Sequence, residues 1–262
     1  MATQKHVEDI TVVRDGLKLS GRIESPQDAP AGPVVIAMHG FMADLGYEPD
    51  SLMQQISDQL VDAGFTCVRF DFNGRGHSDG AFANSDIYNQ VEDAIAVLDF
   101  VRDRFEPTEI SLLGHSQGSV IAGMTAGMFA DELHSLVMLS PASSIKDDAL
   151  RGRVLGVPFD PYRIPNHITL ADGKHEVDGK YARIAKTVPI YETAAMFKGP
   201  ALAIQGEQDT VIDANCARNY GNAMANCSVS LYTNLDHKFN GADRMRAIGE
   251  AVAFLSAQHE EM

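Results

Sequence analysis

Five short apolar runs, Val34–Met38, Thr66–Phe70, Ile110–Leu113, Leu136–Leu139 and Ala201–Ile204, constrain this chain more than any other feature. Runs of four or five residues with almost no polar face suit strands covered on both sides, as in parallel sheets. Between them, Pro49–Ala63, Ile87–Phe105 and Ser119–Phe129 carry helical period, with Pro49 expected at the first helical position. Strand and helix in alternation predict an α/β fold: a mostly parallel twisted sheet joined by right-handed crossovers. Ahead of it, DITVVRDGLKLSGRIES alternates apolar and polar residues around Asp15-Gly16, which predicts an antiparallel hairpin.

The alternation stops after Leu139. Residues 143–195 hold Pro158, Pro161, Pro165 and Pro189 and a second hairpin signal, ITLADGKHEV. Charge marks the same stretch: eight basic and seven acidic residues make it near-neutral, whereas the whole chain carries −15. The expected organisation is therefore a core of residues 1–142 and 196–262, with 143–195 inserted as a small lid subdomain. The pattern resumes with strand Ala201–Ile204, a helix near Ala214–Ala223, strand Val229–Tyr232 and a closing helix Ala242–Ala257.

A net charge of −15 over 262 residues repels phosphates, so nucleic acid and anionic membrane are poor partners. No apolar run reaches the roughly 18 residues of a spanning helix, and the polar start MATQKHVEDI has no signal-peptide pattern. Cys67, Cys216 and Cys227 are an odd number without metal-ligand spacing. They read as reduced thiols, and with the other features they predict a cytoplasmic protein.

Gly114-His115-Ser116-Gln117-Gly118 carries the strongest chemical signal, because it joins the strand ISLL to the helix SVIAGMTAGMFA. Glycines on both sides let a strained turn lift Ser116 to a helix N-terminus, the arrangement of a nucleophile elbow. A serine hydroxyl needs a base, and the base needs an orienting carboxylate. His237 in TNLDHKF and Asp209 in QGEQDTVID fill those roles, each after a strand and in the order Ser, Asp, His. Of the rival acids, Glu207 lies too near the strand end and Asp213 reads as a helix cap. The Gln117 and Phe41 N–H groups, the latter in His39-Gly40-Phe41, are the expected oxyanion donors. His39 and His115 are read as braces. DFNGRGHSDG lacks the spacing of a dinucleotide or P-loop motif, and its Arg75 is expected to pair with a carboxylate.

Together HGF, DFNGRGHSDG, GHSQGS, GEQDTVI and LDHKF resemble the α/β-hydrolase superfamily along nearly the whole chain. HGF with GHSQG, LSPASSIKDDALRG and KTVPIYE is similar to the bacterial cinnamoyl (feruloyl) esterases. This resemblance implies a serine carboxylesterase acting on hydroxycinnamate esters, with no cofactor and no metal. It also implies a lid over the active site in which Asp148 bonds the ring hydroxyl. Where that family has a polar residue seven positions on, this chain has Leu155. Tyr181 is a further candidate for the same pocket, with simple packing as its other reading. The expected partner is a small aromatic ester, with neither nucleic acid nor membrane, and a homodimer is admitted. A short-chain acyl esterase or lipase-like hydrolase of the same fold, and a non-catalytic ligand-binding protein, are the competing classes.

Overall fold

The computed structural model describes residues 4–27, 32–105 and 109–260; the outer ends of the expected core, 1–3 and 261–262, lie outside the described residues, as do 28–31 and 106–108. Six strands come first: β1 (Lys5–Arg14), β2 (Leu17–Pro26), β3 (Val34–Met38), β4 (Thr66–Phe70), β5 (Ile110–His115) and β6 (Leu136–Leu139). Helices α1 (Leu52–Asp62), α2 (Ile87–Phe105) and α3 (Gln117–Met128) lie between them. There follow α4 (Ile145–Leu150), the hairpin β7 (Arg153–Val154) with β8 (Val157–Pro158), and the hairpin β9 (His167–Thr169) with β10 (Glu176–Asp178). Next come α5 (Gly179–Ala185), α6 (Ile190–Ala194), β11 (Ala201–Gly206), α7 (Cys216–Ala223), β12 (Cys227–Tyr232) and α8 (Arg244–Glu260).

One sheet runs β1-β2-β4-β3-β5-β6-β11-β12. The first two strands pair antiparallel, as does β2 with β4, and all later pairs are parallel. This is the α/β-hydrolase fold. The hairpin reverses at Asp15 and Gly16, both at positive φ (52° and 83°), as a two-residue turn matching strand twist demands.

The apolar runs are explained by strand period. Val35, Ala37, Leu113, Val137, Leu139, Leu202 and Ile204 face α1 and α8, where Ile56, Leu60, Ile248 and Leu255 meet them. Their neighbours Val34, Ile36, Met38, Leu112, Leu136 and Met138 turn to the other face, under α2 and α3. Both faces are dry, so neither set can be polar. Burying each Leu-sized side chain stabilises by roughly 1.5–3 kcal/mol relative to exposure.

Two helix starts differ from the sequence expectation. Pro49 lies outside α1, whose N-cap is Ser51, with its Oγ accepting from Gln54 N–H at 3.2 Å. A hydroxyl satisfies a free helix donor, which a proline two residues earlier cannot do. Likewise the N-cap position of α7 is Asn215 rather than Asp213; the Asp213 carboxylate accepts Asn215 N–H at 2.8 Å, three residues ahead of the helix. The residues 143–195 add no strand to the large sheet, while α6 packs on α3, its Thr193 carbonyl against Gly127. Lys180 of α5 pairs with the buried Asp86 at 2.7 Å, tying this stretch to the start of α2. All three cysteines are free, and no helix among the described residues is long and apolar enough to cross a membrane.

A polar cluster joins the hairpin to the sheet. Arg69, fully buried in β4, donates Nη2 to Glu24 Oε2 at 2.6 Å and Nη1 to the Leu45 carbonyl at 2.7 Å. Lys5, Gln54 and Ser57 also donate to the Glu24 carboxylate. Burial alone would raise the pKa of Glu24, but Arg69 and these hydrogen bonds bring it down to about 2.

Candidate active site

Parallel strands end at one edge, so the loops after β3, β5 and β11 converge there. Ser116 follows β5 and takes the N-cap position of α3 with φ 56° and ψ −121°, a conformation that costs roughly 1–3 kcal/mol. What holds it is the absence of neighbouring side chains: a Cβ on Gly114 would meet the Gly118 backbone, and one on Gly118 would meet the Met38 and His39 carbonyls. Ser116 N–H donates to the Leu139 carbonyl at 2.8 Å, and the Ser116 carbonyl accepts from Ala142 N–H at 3.1 Å.

Ser116 Oγ lies 2.8 Å from His237 Nε2, and His237 Nδ1 lies 2.8 Å from Asp209 Oδ2. The other Asp209 oxygen accepts Val211 N–H at 2.9 Å and Ile212 N–H at 3.2 Å. With both carboxylate oxygens engaged, the acid accepts the His237 Nδ1 proton and leaves the Nε2 lone pair facing the serine. All three side chains are buried. The rival acids lie elsewhere: Glu207 accepts the Thr233 hydroxyl at 2.9 Å, and Asp213 serves the approach to α7.

Both neighbouring histidines act as braces. His39 Nδ1–H donates to the Gly40 carbonyl at 2.7 Å while Nε2 accepts Phe72 N–H at 3.2 Å. His115 Nε2–H donates to the His237 carbonyl at 2.9 Å, linking the residue before the nucleophile to the loop of the base. Burial lowers each pKa to about 4, so both rings are neutral at pH 7.

Phe41 and Gln117 flank Ser116, and among the described residues neither backbone N–H is committed to a hydrogen bond. Two free donors beside a nucleophile can stabilise a developing oxyanion. Arg75 corrects the sequence expectation, because among the described residues it pairs with no carboxylate. Its Nε donates to the Phe41 carbonyl at 2.6 Å, and the guanidinium stacks 3.7 Å over the Phe82 ring and 4.9 Å over Phe41. Burial lowers its pKa to about 10. A planar cation can lie against aromatic rings, which substitute for the acid. The rest of the glycine-rich loop is structural: the Asp71 carboxylate accepts Leu45 N–H, Tyr47 Oη–H and His77 N–H.

Space opens on both sides of Ser116. A narrow slot of about 30 Å³ is lined by Phe41, Ser116, Gln117, Ile145, Val154, Ile212 and Asp148. A wider cleft of about 630 Å³ lies over His237, Met42, Lys238 and Arg244. Leu155 borders both. It occupies the β7–β8 turn with φ 47°, followed by Gly156 at φ 80°. That turn leaves its side chain 39% exposed at the rim.

Asp148 is partly buried and accepts the Ser144 hydroxyl at 3.2 Å. Tyr181 is buried and donates to Gln117 Oε1 at 2.6 Å, while Gln117 Nε2 donates to Gln90 Oε1 at 2.6 Å. Its ring lies 5.2 Å from that of Phe41. Sequence reasoning missed Gln90 and Arg153, the latter an exposed cation on the slot wall. No motif marks either residue. The local signal for Arg153 was its place two residues before Leu155. The one cluster of metal-ligating groups among the described residues lies away from this cleft.

Comparison with known proteins agrees with the fold. Residues 29–167 match the sequence model of the family described as Serine aminopeptidase, S33. The chain superposes on Est1E from Butyrivibrio proteoclasticus, solved with ferulic acid bound, with TM-score 0.91 and 26% identity over 96% of this chain and 100% of that one. Uncharacterized protein RP471 of Rickettsia prowazekii (strain Madrid E) is 31% identical over 46% of this chain and 51% of its own length. Lysophosphatidylserine lipase ABHD12 of Danio rerio is 25% identical over 45% of this chain and 30% of its own. The match thus spans about half of the first curated relative and under a third of the second.

Proposed function

This chain belongs to the serine aminopeptidase-type family of α/β-hydrolases, and we propose that it is a serine carboxylesterase hydrolysing hydroxycinnamate esters through an acyl-enzyme. His237 Nε2 takes the Ser116 proton as Oγ attacks the ester carbonyl. Phe41 and Gln117 N–H groups hold the oxyanion, and His237 returns the proton to the departing alcohol. Water, deprotonated by the same imidazole, then releases the acid.

The observation that carries the substrate reading is the slot, in which Ser116, the aliphatic side chains of Ile145, Val154 and Ile212, and the carboxylate of Asp148 line one space. An acyl group with a flat apolar body and a terminal phenol matches that combination of surfaces. The likeness to Est1E, which binds ferulic acid, supports the same reading. At about 30 Å³ the slot has room for about two waters, so a phenylpropenoyl group needs α4 and the Leu155 turn to part. The same small volume favours a second reading, a short-chain acyl esterase.

Rates on methyl ferulate, p-nitrophenyl acetate, p-nitrophenyl hexanoate and an amino-acid p-nitroanilide separate the readings. We expect kcat/KM to be highest for methyl ferulate and turnover to vanish in Ser116→Ala with the fold intact. A preference for acetate would favour the second reading. Turnover retained by Ser116→Ala, or no fluorophosphonate labelling of Ser116, would exclude the serine mechanism.

A further inference from the structure

We propose that Glu109, His134 and His259 bind one divalent cation of the zinc type, at the sheet edge opposite Ser116. Glu109 immediately precedes β5, His134 lies between α3 and β6, and His259 lies in the last turn of α8. Six residues of β5, roughly 20 Å of strand, separate this edge from the catalytic one. One donor atom from each of the three residues falls within 4.8 Å of the other two.

The arrangement of lone pairs argues for a cation. His134 Nε2–H donates to the Gln258 carbonyl at 3.0 Å, which leaves Nδ1 unprotonated in the neutral ring. That Nδ1 faces Glu109 Oε1 at 3.9 Å. Oε1 is itself buried and accepts no hydrogen bond among the described residues. Two acceptors pointed at each other repel unless positive charge lies between them. A single zinc ion, about 2.0–2.2 Å from nitrogen and oxygen ligands, fits a gap of this width.

His259 completes the set from the other side. Its Nδ1–H donates to Glu109 Oε2, a proton that the ion would displace, its Nε2 lies 3.5 Å from Ser111 Oγ, and Phe65 packs edge-on against its ring at 5.1 Å. The two imidazoles stack with centroids 4.7 Å apart and planes at 29°. Outer-sphere partners of this kind, a carbonyl for one ring and a hydroxyl for the other, orient metal-binding histidines elsewhere. Two nitrogens and one oxygen select zinc, cobalt or nickel over magnesium or calcium, which require oxygen shells. Water would fill the fourth position. The ion would pin the end of α8 to the starts of β5 and β6, with no part in the chemistry at Ser116.

The test uses the full chain stripped with EDTA and titrated with zinc chloride. Calorimetry is expected to give one zinc per chain. At about a hundredfold excess over Kd, Tm should rise by about 5 °C. Both effects should disappear in Glu109→Gln, His134→Asn and His259→Asn. Hydrolysis of p-nitrophenyl acetate by each stripped variant at the wild-type rate would show that the fold survives. Zinc binding in these variants equal to that of the wild type, or no stoichiometric binding in the wild type, would overturn the proposal.

Discussion

Replacing Asp209 by Asn tests whether the hydrogen bonds around His237 set its tautomer. One side-chain oxygen of Asp209 holds two backbone N–H groups and the other holds His237 Nδ1. In the variant the amide oxygen stays with Val211 and Ile212, because the NH2 group cannot accept from them. The NH2 then points at His237 Nδ1 and makes that nitrogen an acceptor. The ring proton moves to Nε2, where it faces Ser116 Oγ, and the base is lost. Restoring the working tautomer requires an amide flip that gives up two acceptances, about 1–3 kcal/mol each. The resulting 2–6 kcal/mol is about 30-fold to 10⁴-fold in rate. Loss of the carboxylate charge that stabilises the imidazolium adds to this, so we expect kcat to fall about 10³- to 10⁴-fold. Stopped assays with p-nitrophenyl acetate from pH 6 to 10 would measure it, with circular dichroism to verify the fold. A variant within tenfold of the wild type at pH 7 would refute the tautomer argument.

Asp148→Ala should raise KM for methyl ferulate about tenfold, the value of one hydrogen bond of about 1.4 kcal/mol, with less than a twofold effect on p-nitrophenyl acetate. Tyr181→Phe leaves the buried Gln117 Oε1 without its donor, which costs about 1–3 kcal/mol and a Tm drop of several degrees. If Tyr181 instead bonds substrate, KM for ferulate esters would change and Tm would not. Glu24 has its pKa lowered from 4.5 to about 2 in the folded chain, so its contribution of about 3 kcal/mol is complete above pH 4.5. It is lost as pH falls toward 2. Urea denaturation between pH 6 and pH 2 should show this slope, and Glu24→Gln should flatten it.

The strands were legible because both faces of the sheet are dry, which turns Val34–Met38 and Leu136–Leu139 into apolar runs no other element needs. Ser116, Asp209 and His237 were legible because each follows a strand at an edge the topology fixes. Arg75 was not. Its partners are two rings and two carbonyls, and the Phe41 and Phe82 rings come from separate loops. Nothing in the local sequence distinguishes a cation packed on aromatic rings from an ion pair. Helix starts failed for a smaller reason: Pro49 and Asp213 are both good initiators, and the geometry used Ser51 and Asn215, each two residues later.

The proposed insertion between two sheet strands invites exchange, as a cassette that could be swapped to retarget the proposed esterase. The hydrogen-bonded chain from Tyr181 through Gln117 to Gln90 restricts that freedom. Its first member belongs to the insertion, its second carries a candidate oxyanion donor on its own backbone, and its third is rooted in α2. A transplanted segment without a hydroxyl at that point would loosen the side chain next to the nucleophile, however well it fitted a new acyl group. Any graft would have to carry its own donor to Gln117.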